Sequence, residues 1–352
     1  MLRPTVLASA LACSLFACAT NDSSKDPADN DPGGKADGVT EEPVSVPLFT
    51  AEHIYYSADA TTNRQTVDQQ VALPTQGPFK SVKLSFKLSC PSNHCDDWDR
   101  PGALSYLDAD GKAVEFARFM TPYGRGGEWT VDVTDLQTVL AGPLTVRAFI
   151  KTFVGPTINM QYGLGWVVDA SLTYEKGDPE RLPIAAIPLQ FGEVNYGDPL
   201  EPTERKATIE VPEGVGSAGF YMLITGHGQG NLENCAEFCQ KTHTIALGST
   251  EASQVIWRDD CHLNPVSPQA GNWKFARAGW CPGDMVYPWR EELGAVAAGS
   301  YEFRYDVEAY TNTCRPDSPV CSGCSLGTGC EYDGGRHVKP RWMTNGFLIL
   351  YQ

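Results

Sequence analysis

The sequence predicts an all-β protein of antiparallel sandwiches. Three observations carry this: strict apolar/polar alternation in several runs, no sustained helical period, and Gly, Pro and Asp punctuation at short intervals. The chain has 352 residues, room for two domains that each bury a core. Its formal net charge of -16 argues against nucleic acid as a partner, because a phosphate backbone is bound through clustered Lys and Arg.

At the N-terminus Arg3 precedes a mainly apolar run over residues 6–16, too short to span a bilayer but suited to a signal h-region. The run ends in Leu15-Phe16-Ala17-Cys18, which resembles the lipobox of bacterial lipoproteins. Residues 1–17 are therefore expected to be a lipoprotein signal peptide, with Cys18 lipidated and Cys13 cut away; a secretory cleavage after Ala17 or Ala19 is the alternative. Residues 18–45 hold almost no large apolar side chain and are expected to form a disordered acidic tether. Asp is absent directly after Cys18, which by resemblance to lipoprotein sorting implies the outer membrane or cell surface. Otherwise a secreted or periplasmic protein is expected.

Ten cysteines follow Cys18: Cys90, Cys95, Cys235, Cys239, Cys261, Cys281, Cys314, Cys321, Cys324 and Cys330. The even number suits disulfides in an oxidising compartment. A zinc knuckle at the last four is the alternative, and export favours bridges over it.

The first globular half covers residues 46–175. Val82, Leu84, Phe86 and Leu88 alternate with Lys83, Ser85 and Lys87, and Leu144, Val146, Ala148 and Ile150 alternate with more polar neighbours, so both runs are half-buried strands. The best helix candidate, residues 135–141, is only about two turns long. A polar stretch with Gly, Asp and Pro at 176–182 marks a domain boundary. The second half, residues 183–352, repeats the style. Strands are expected at 206–211, 220–225, 301–310 and 346–351, a turn at 225–230, and a disulfide-rich insertion at 311–337.

Two stretches concentrate chemistry. Cys90-Pro-Ser-Asn-His-Cys-Asp-Asp-Trp-Asp-Arg100 follows a strand, and a Cys90–Cys95 bridge would hold Trp98, Asp99 and Arg100 on a rigid base. A solvated acidic turn with Trp98 in the core is the competing reading. Cys235-Ala-Glu-Phe-Cys239 sets Glu237 at the centre of a three-residue loop, which suggests ligand contact. The Gly- and Pro-rich segment 261–281 is not a core strand, and its tryptophans are either packing plugs or sugar platforms.

These motifs, with Arg118-Phe-Met-Thr-Pro-Tyr123, Asp132-Val-Thr-Asp135, Thr242-His-Thr-Ile245 and Arg277-Ala-Gly-Trp-Cys-Pro-Gly283, resemble the bacterial peptide-N4-(N-acetyl-β-glucosaminyl)asparagine amidase F family. The resemblance covers almost all of the chain after the tether. It implies two eight-stranded antiparallel jelly rolls side by side and the pairs Cys90–Cys95, Cys235–Cys239 and Cys261–Cys281. It also implies metal-independent, cofactor-free hydrolysis of the amide between N-acetylglucosamine and asparagine in N-linked glycoproteins or glycopeptides, by a monomer. Asp99 matches the family's water-activating carboxylate, Glu237 a carboxylate that binds sugar hydroxyls and the site water, Arg277 a cleft arginine, and Trp98 an apolar contact for the sugar. Arg100 follows Asp99 as in the family and is expected to orient it or to polarise the amide oxygen.

The chain departs from the family at four places. Lys151 stands where the family has a functional Glu, Phe153 and Phe238 where it has Trp, and Gly226-His-Gly-Gln229 replaces a Gly-Trp-Gly-His pattern, which makes His227 a binding candidate. Strand alternation directs Lys151 and Phe153 away from the core, and a Lys151–Asp99 ion pair is expected to hold Asp99 charged and weakly basic. A catalytically silent N-glycan-binding surface lipoprotein is the second reading. A third, a copper monooxygenase, draws on His227, His243 and His262, but no His-x-His motif supports it.

Overall fold

The computed structural model describes residues 42–196, 203–229, 236–309 and 338–352. The signal run, Cys18, the tether up to residue 41, Cys235 and the 311–337 insertion with Cys314, Cys321, Cys324 and Cys330 lie outside the described residues; Val44 and Ser45, expected to end the tether, instead begin the first strand.

In the first sandwich, β1 (Val44–Ile54), β8 (Trp166–Lys176), β3 (Phe79–Ser89) and β6 (Gly127–Asp132) form one sheet in that order. The other runs β14 (Asp284–Met285), β5 (Ala113–Met120), β4 (Pro101–Leu107), β7 (Gly142–Ile150) and β2 (Thr66–Leu73). All pairings are antiparallel. The alternation read in β3 is realised: Val82, Leu84, Phe86 and Leu88 are buried. Phe86 reaches across to Phe119 of β5 with ring centroids 4.4 Å apart, so the two sheets share one core.

The second sandwich pairs the sheet β10 (Arg205–Val211), β16 (Gly299–Val307), β12 (Thr242–Leu247), β13 (Thr250–Val255) with the sheet β15 (Trp289–Ala295), β11 (Ser217–Gln229), β17 (Val338–Tyr351), β9 (Pro183–Asn195). Phe220 of β11 meets Phe303 of β16 edge-on at 5.4 Å.

The β15–β11–β17–β9 sheet also docks the sandwiches together. Phe220, Met222, Ile224, Leu348 and Leu350 enter the second core, while Tyr221, Leu223, Phe347 and Ile349 pack with the first. Burial on both faces explains why β11 and β17 carry unbroken apolar runs instead of alternating ones. On the other side of this junction, β5 is buried from Val114 to Met120. A register slip opposite Leu104/Ser105 makes Phe116 the extra residue, and Glu115 and Arg118 then meet on one side. Arg118, 1% exposed, donates to both Glu115 oxygens and to Leu223 O, Thr225 Oγ1 and Met343 O across the junction. Removing such a buried partner costs about 3–5 kcal/mol, because the remaining charge loses its compensation.

Three local expectations are corrected. Residues 135–141 do not form a two-turn helix; only Thr134–Leu136 makes a 3-10 turn. Asp135 is held instead by Arg290 Nε at 3.1 Å and the Tyr351 hydroxyl at 3.0 Å. The stretch 225–229 is not a turn but the end of β11, paired with β17 through Thr225↔Met343, Gly226↔Trp342 and His227↔Arg341. Its glycines answer to crowding: a Cβ on Gly226 would lie 2.5 Å from Ala236 O. Finally, β7 ends at Ile150, so alternation does not extend to Lys151 and Phe153.

The second core holds an acid-sensitive group. His243 of β12 is fully buried; its Nδ1 lies 2.9 Å from the Tyr305 hydroxyl, its ring 4.2 Å from Trp342, and its Nε2 has no partner among the described residues. Burial pushes its pKa down to about 3, against a small opposing pull from Glu308. The folded value lies below the unfolded one, so the contribution of the neutral ring is complete above the unfolded pKa of about 6.5 and is lost as pH falls from there towards 3, by up to about 1.4 kcal/mol per unit. Urea unfolding at pH 7 and 4.5 should show His243→Gln losing less stability on acidification than the wild type; equal losses would remove His243 as a cause.

Candidate active site

The Cys90–Cys95 bridge is formed, with Cα atoms 4.4 Å apart. Ser92 and Asn93 take left-handed backbone angles, φ 49 and 60, a conformation that a short closed loop imposes. Behind the loop, Asp96 is fully buried and accepts from Trp98 N at 3.0 Å, Arg100 Nε at 2.9 Å and Thr152 Oγ1 at 2.6 Å. Thr121 closes the other side, donating to Trp98 O and accepting from Arg100 N. With both neighbours fixed, Asp99 projects into the junction, its side chain 19% exposed. Its Oδ2 lies 2.8 Å from the Tyr123 hydroxyl.

The second sandwich supplies the opposite wall. Cys239 is disulfide-bonded, and Cys261–Cys281 closes the loop beneath Arg277. Glu237 N donates to Gly228 O, and Gly228 N donates to Glu237 Oε2 at 3.3 Å. Gly228 sits at the irregularity in β11 with φ +75, a value that favours glycine. Arg277 has no exposed surface and stands between the carboxylates: Nε is 3.3 Å from Glu237 Oε1, and Nη2 is 4.0 Å from Asp99 Oδ2. Its remaining donors go to Asn272 Oδ1, Asn272 O and Phe275 O, and its plane faces Trp280 at 4.8 Å and Phe238 at 5.1 Å.

Burial raises the pKa of Asp99 above its usual 3.8, against the Tyr123 hydrogen bond and the Arg277 and Arg100 charges. Burial likewise raises Glu237, opposed by Arg277 and reinforced by the charge of Asp99. Both carboxyl groups are thus shifted towards accepting a proton, the property of a base working near neutral pH. Tyr123 is pushed far above its ordinary value by burial and by Asp99, so it stays a neutral donor.

The structure brings Asp99, Glu237 and Arg277 together and distributes the other candidates around them. Trp98 is 54% and Phe153 43% exposed at the rim. Arg100 does not bond to Asp99; its guanidinium is committed to Asp96 and faces the Phe153 ring at 5.1 Å. The Lys151–Asp99 ion pair is absent among the described residues. Lys151 N donates to Pro101 O, Thr152 N turns back to Ile150 O, and the Lys151 charge adds to the lowering of the His227 pKa. His227 is 6% exposed, bonded to Thr225 Oγ1 at 2.9 Å and stacked on Trp280, so it packs behind the site and does not line it. No group of three or more metal-ligating side chains occurs among the described residues, and His227, His243 and His262 do not converge. Trp280 is a buried plug. Sequence reasoning assigned nothing to Tyr123, Asn272 or Asp96; the first two meet at 2.7 Å although 149 residues apart.

Tyr123→Phe removes a hydrogen bond that lowers the pKa of Asp99. The acid limb of a pH–rate profile should therefore move upward, with a loss of about 10- to 100-fold below it. An unmoved limb would mean that Tyr123 does not support Asp99.

The fold is thus a pair of antiparallel β-sandwiches that bring two carboxylates, one from each, to a single buried arginine at their junction. Residues 195–321 match the family model "Peptide-N-glycosidase F, C terminal". The chain is 28% identical over 307 residues to peptide-N(4)-(N-acetyl-β-D-glucosaminyl)asparagine amidase F of Elizabethkingia miricola, covering 77% of this chain and 84% of that relative. Among solved structures, PNGase F, a glycosylasparaginase from Flavobacterium meningosepticum, superposes with a TM-score of 0.72 at 23% identity, over 89% of this chain and 96% of that one. PNGF-II superposes with a TM-score of 0.65 at 16% identity, over 88% of this chain and 65% of that one. The chain thus resembles the peptide-N-glycosidase F family, whose C-terminal model it matches over residues 195–321, and it shares the fold of PNGase F.

Proposed function

We propose that this protein hydrolyses the amide between N-acetylglucosamine and asparagine, releasing N-glycans from glycoproteins or glycopeptides. The observation that carries this reading is the convergence of Asp99 and Glu237, one from each sandwich, on the buried Arg277. Asp99 takes a proton from water, the hydroxide adds to the asparagine side-chain carbonyl carbon, and the C–N bond breaks as the sugar amine takes up a proton. Asparagine becomes aspartate. The Tyr123 hydroxyl touches both Asp99 Oδ2 and Asn272 Oδ1, and Arg277 Nη2 donating to that same Oδ1 fixes the amide orientation. One hydroxyl hydrogen cannot serve two acceptors. It serves Asp99 while that carboxylate is charged and Asn272 once Asp99 holds the proton, so both forms of the base are satisfied. Glu237 accepts from sugar hydroxyls, Trp98 and Phe153 offer apolar rims, and Arg100 acts through Asp96 to hold the loop.

Incubation with a denatured high-mannose glycoprotein tests the proposal. Free glycan with conversion of Asn to Asp supports it, whereas glycan binding without release would make the chain a binding protein. The family Glu position occupied by Lys151 is decisive here. Among the described residues Asp99 pairs with Arg277 and not with Lys151, so Lys151→Met should leave the acid limb of the pH–rate profile in place; a shift upward by about one unit, as loss of a nearby cation produces, would restore the suppressing ion pair.

We also infer export as a lipid-anchored protein. The formed Cys90–Cys95 and Cys261–Cys281 bridges favour an oxidising compartment. Fatty-acid labelling of the wild type and Cys18→Ala tests the anchor.

A further inference from the structure

Arg258 follows β13, and its side chain gathers two acids that the chemistry above does not use. Nε and Nη2 donate to the two oxygens of Asp260 at 2.6 and 3.0 Å, and Nη2 also donates to Asp284 Oδ2 at 2.9 Å. The Tyr287 ring faces the guanidinium at 4.9 Å. Nη1 is buried and has no partner among the described residues. Asp284 is 2% exposed, and burial raises its pKa against the pull of Arg258. An orphaned buried donor and a desolvated carboxylate both work against stability, and a buried ion pair is weak evidence for it. The cluster therefore calls for a role other than cohesion.

What Arg258 joins are the two walls of the site. On one side its backbone forms a β-bridge with Arg277, with N–H to carbonyl distances of 2.7 and 3.0 Å. On the other side, Asp284 belongs to β14, which pairs with β5 through Asp284↔Met120 and Met285↔Phe119. Gly283 N and Val286 N extend this contact to Met120 O and Arg118 O. Next to Met120 stands Thr121, whose N donates to Arg100 O and whose hydroxyl bonds Trp98 O and Arg100 N, on either side of Asp99. A continuous path thus runs from Arg277 through Arg258, Asp284 and β5 to Asp99. The 4.0 Å contact of Arg277 with Asp99 crosses between the sandwiches, whereas its 3.3 Å contact with Glu237 lies within the second, where Ala278 N also donates to Glu237 O.

We propose that Arg258 is a positioning residue that sets the separation of Arg277 from Asp99 across the junction, acting through Asp284 and β14. The inference rests on the amidase reading for its effect on rate, and on geometry alone for its effect on Asp99. The Tyr123 hydroxyl and the Arg277 and Arg100 charges act on Asp99, and the charge of Asp99 acts on Glu237. Of these groups Arg277 is the one whose backbone Arg258 holds. Without the fork, Arg277 keeps Glu237 but is no longer fixed against the wall that carries Asp99. A connected path becomes coupling only when a change at one end is read at the other, so both carboxylates must be followed.

Carboxyl-carbon NMR titration of Asp99 and Glu237 in the wild type, Arg258→Met and Arg258→Lys tests this, together with kcat and KM for release from a denatured high-mannose glycoprotein. In Arg258→Met the Asp99 pKa should rise by about one unit as Arg277 withdraws, while Glu237 keeps its value. The value of kcat should fall by about 100-fold, the effect of a misplacement near 1 Å, with KM unchanged. Arg258→Lys retains a charge beside Asp284 but cannot bond Asp260 and Asp284 as a fork does, so a smaller rise at Asp99 alone is expected. It carries the test should Arg258→Met fail to fold. An unmoved Asp99 in the folded variant would overturn the proposal, and so would equal shifts at Asp99 and Glu237, the sign of general loosening. If the wild type releases no glycan but the Asp99 pKa alone rises in the variants, the positioning role stands and the amidase reading fails.

Discussion

Asp99→Asn should abolish glycan release, lowering the rate by about 10³- to 10⁴-fold as expected for loss of a general base, while leaving the fold and glycan binding intact. The side chain is nearly isosteric and can still accept from the Tyr123 hydroxyl, so the loop keeps its anchor. What disappears is the capacity to take a proton from water. Because burial is the leading cause that raises the pKa of Asp99, the neutral amide also relieves a desolvated charge, and the melting temperature should stay level or rise. The wild-type profile supplies an independent check. A base with a raised pKa is protonated as pH falls through that value, so release should fail on acidification at a pH above 3.8, the ordinary value for the group. Activity in Asp99→Asn within tenfold of wild type, or an acid limb at or below that ordinary value, would remove Asp99 from the base role.

The parts of the fold that were legible in the sequence are those where one strand face is buried and the other is wet. β3, β7 and β16 declared themselves through period-two alternation, because each covers a core on one side only. β11 and β17 also read as strands, but nothing in their apolar runs said that their second face seals the junction between sandwiches. Glu115 and Arg118, the two charged residues of β5, are the incongruity in an otherwise apolar strand that the junction explains, and the sequence reading assigned them no such place. Gly226-His-Gly misled, since glycine marks a turn in most sequences and here marks a crowded strand. The family resemblance supplied Asp99, Glu237 and Arg277. It did not supply the network that joins them, because Tyr123 and Asn272 meet only through the packing of two domains. Lys151 shows the opposite limit: alternation was carried past Ile150, where Thr152 turns to bond the buried Asp96 and the pattern stops.

Arg277→Met should be the most damaging single change. It removes the shared cation from two carboxylates whose pKa values Arg277 already pulls down against burial. Without it, burial and their mutual repulsion raise both values further, and one of the two groups holds a proton near neutral pH. Release should fall by about 10³-fold or more, since a preorganised charge at the reacting centre is lost together with the ionised base. The residual activity should have its acid limb displaced to higher pH. Stability should suffer as well, by about 3–5 kcal/mol, the typical cost of breaking a buried charge pair. Asn272 O, Asn272 Oδ1 and Phe275 O lose their donor at the same time. The sign with pH follows from the raised values: the folded state binds protons more readily than the unfolded one, so the variant should be more stable at pH 5 than at pH 8. Arg277→Lys should recover part of the charge effect but little of the rate, because one ammonium group cannot bond Glu237, Asn272 and Phe275 at once. Urea unfolding and pH–rate profiles of the three proteins decide the matter, and an Arg277→Met protein with an unmoved acid limb and activity within about threefold of wild type would show that the arginine does not govern the two carboxylates.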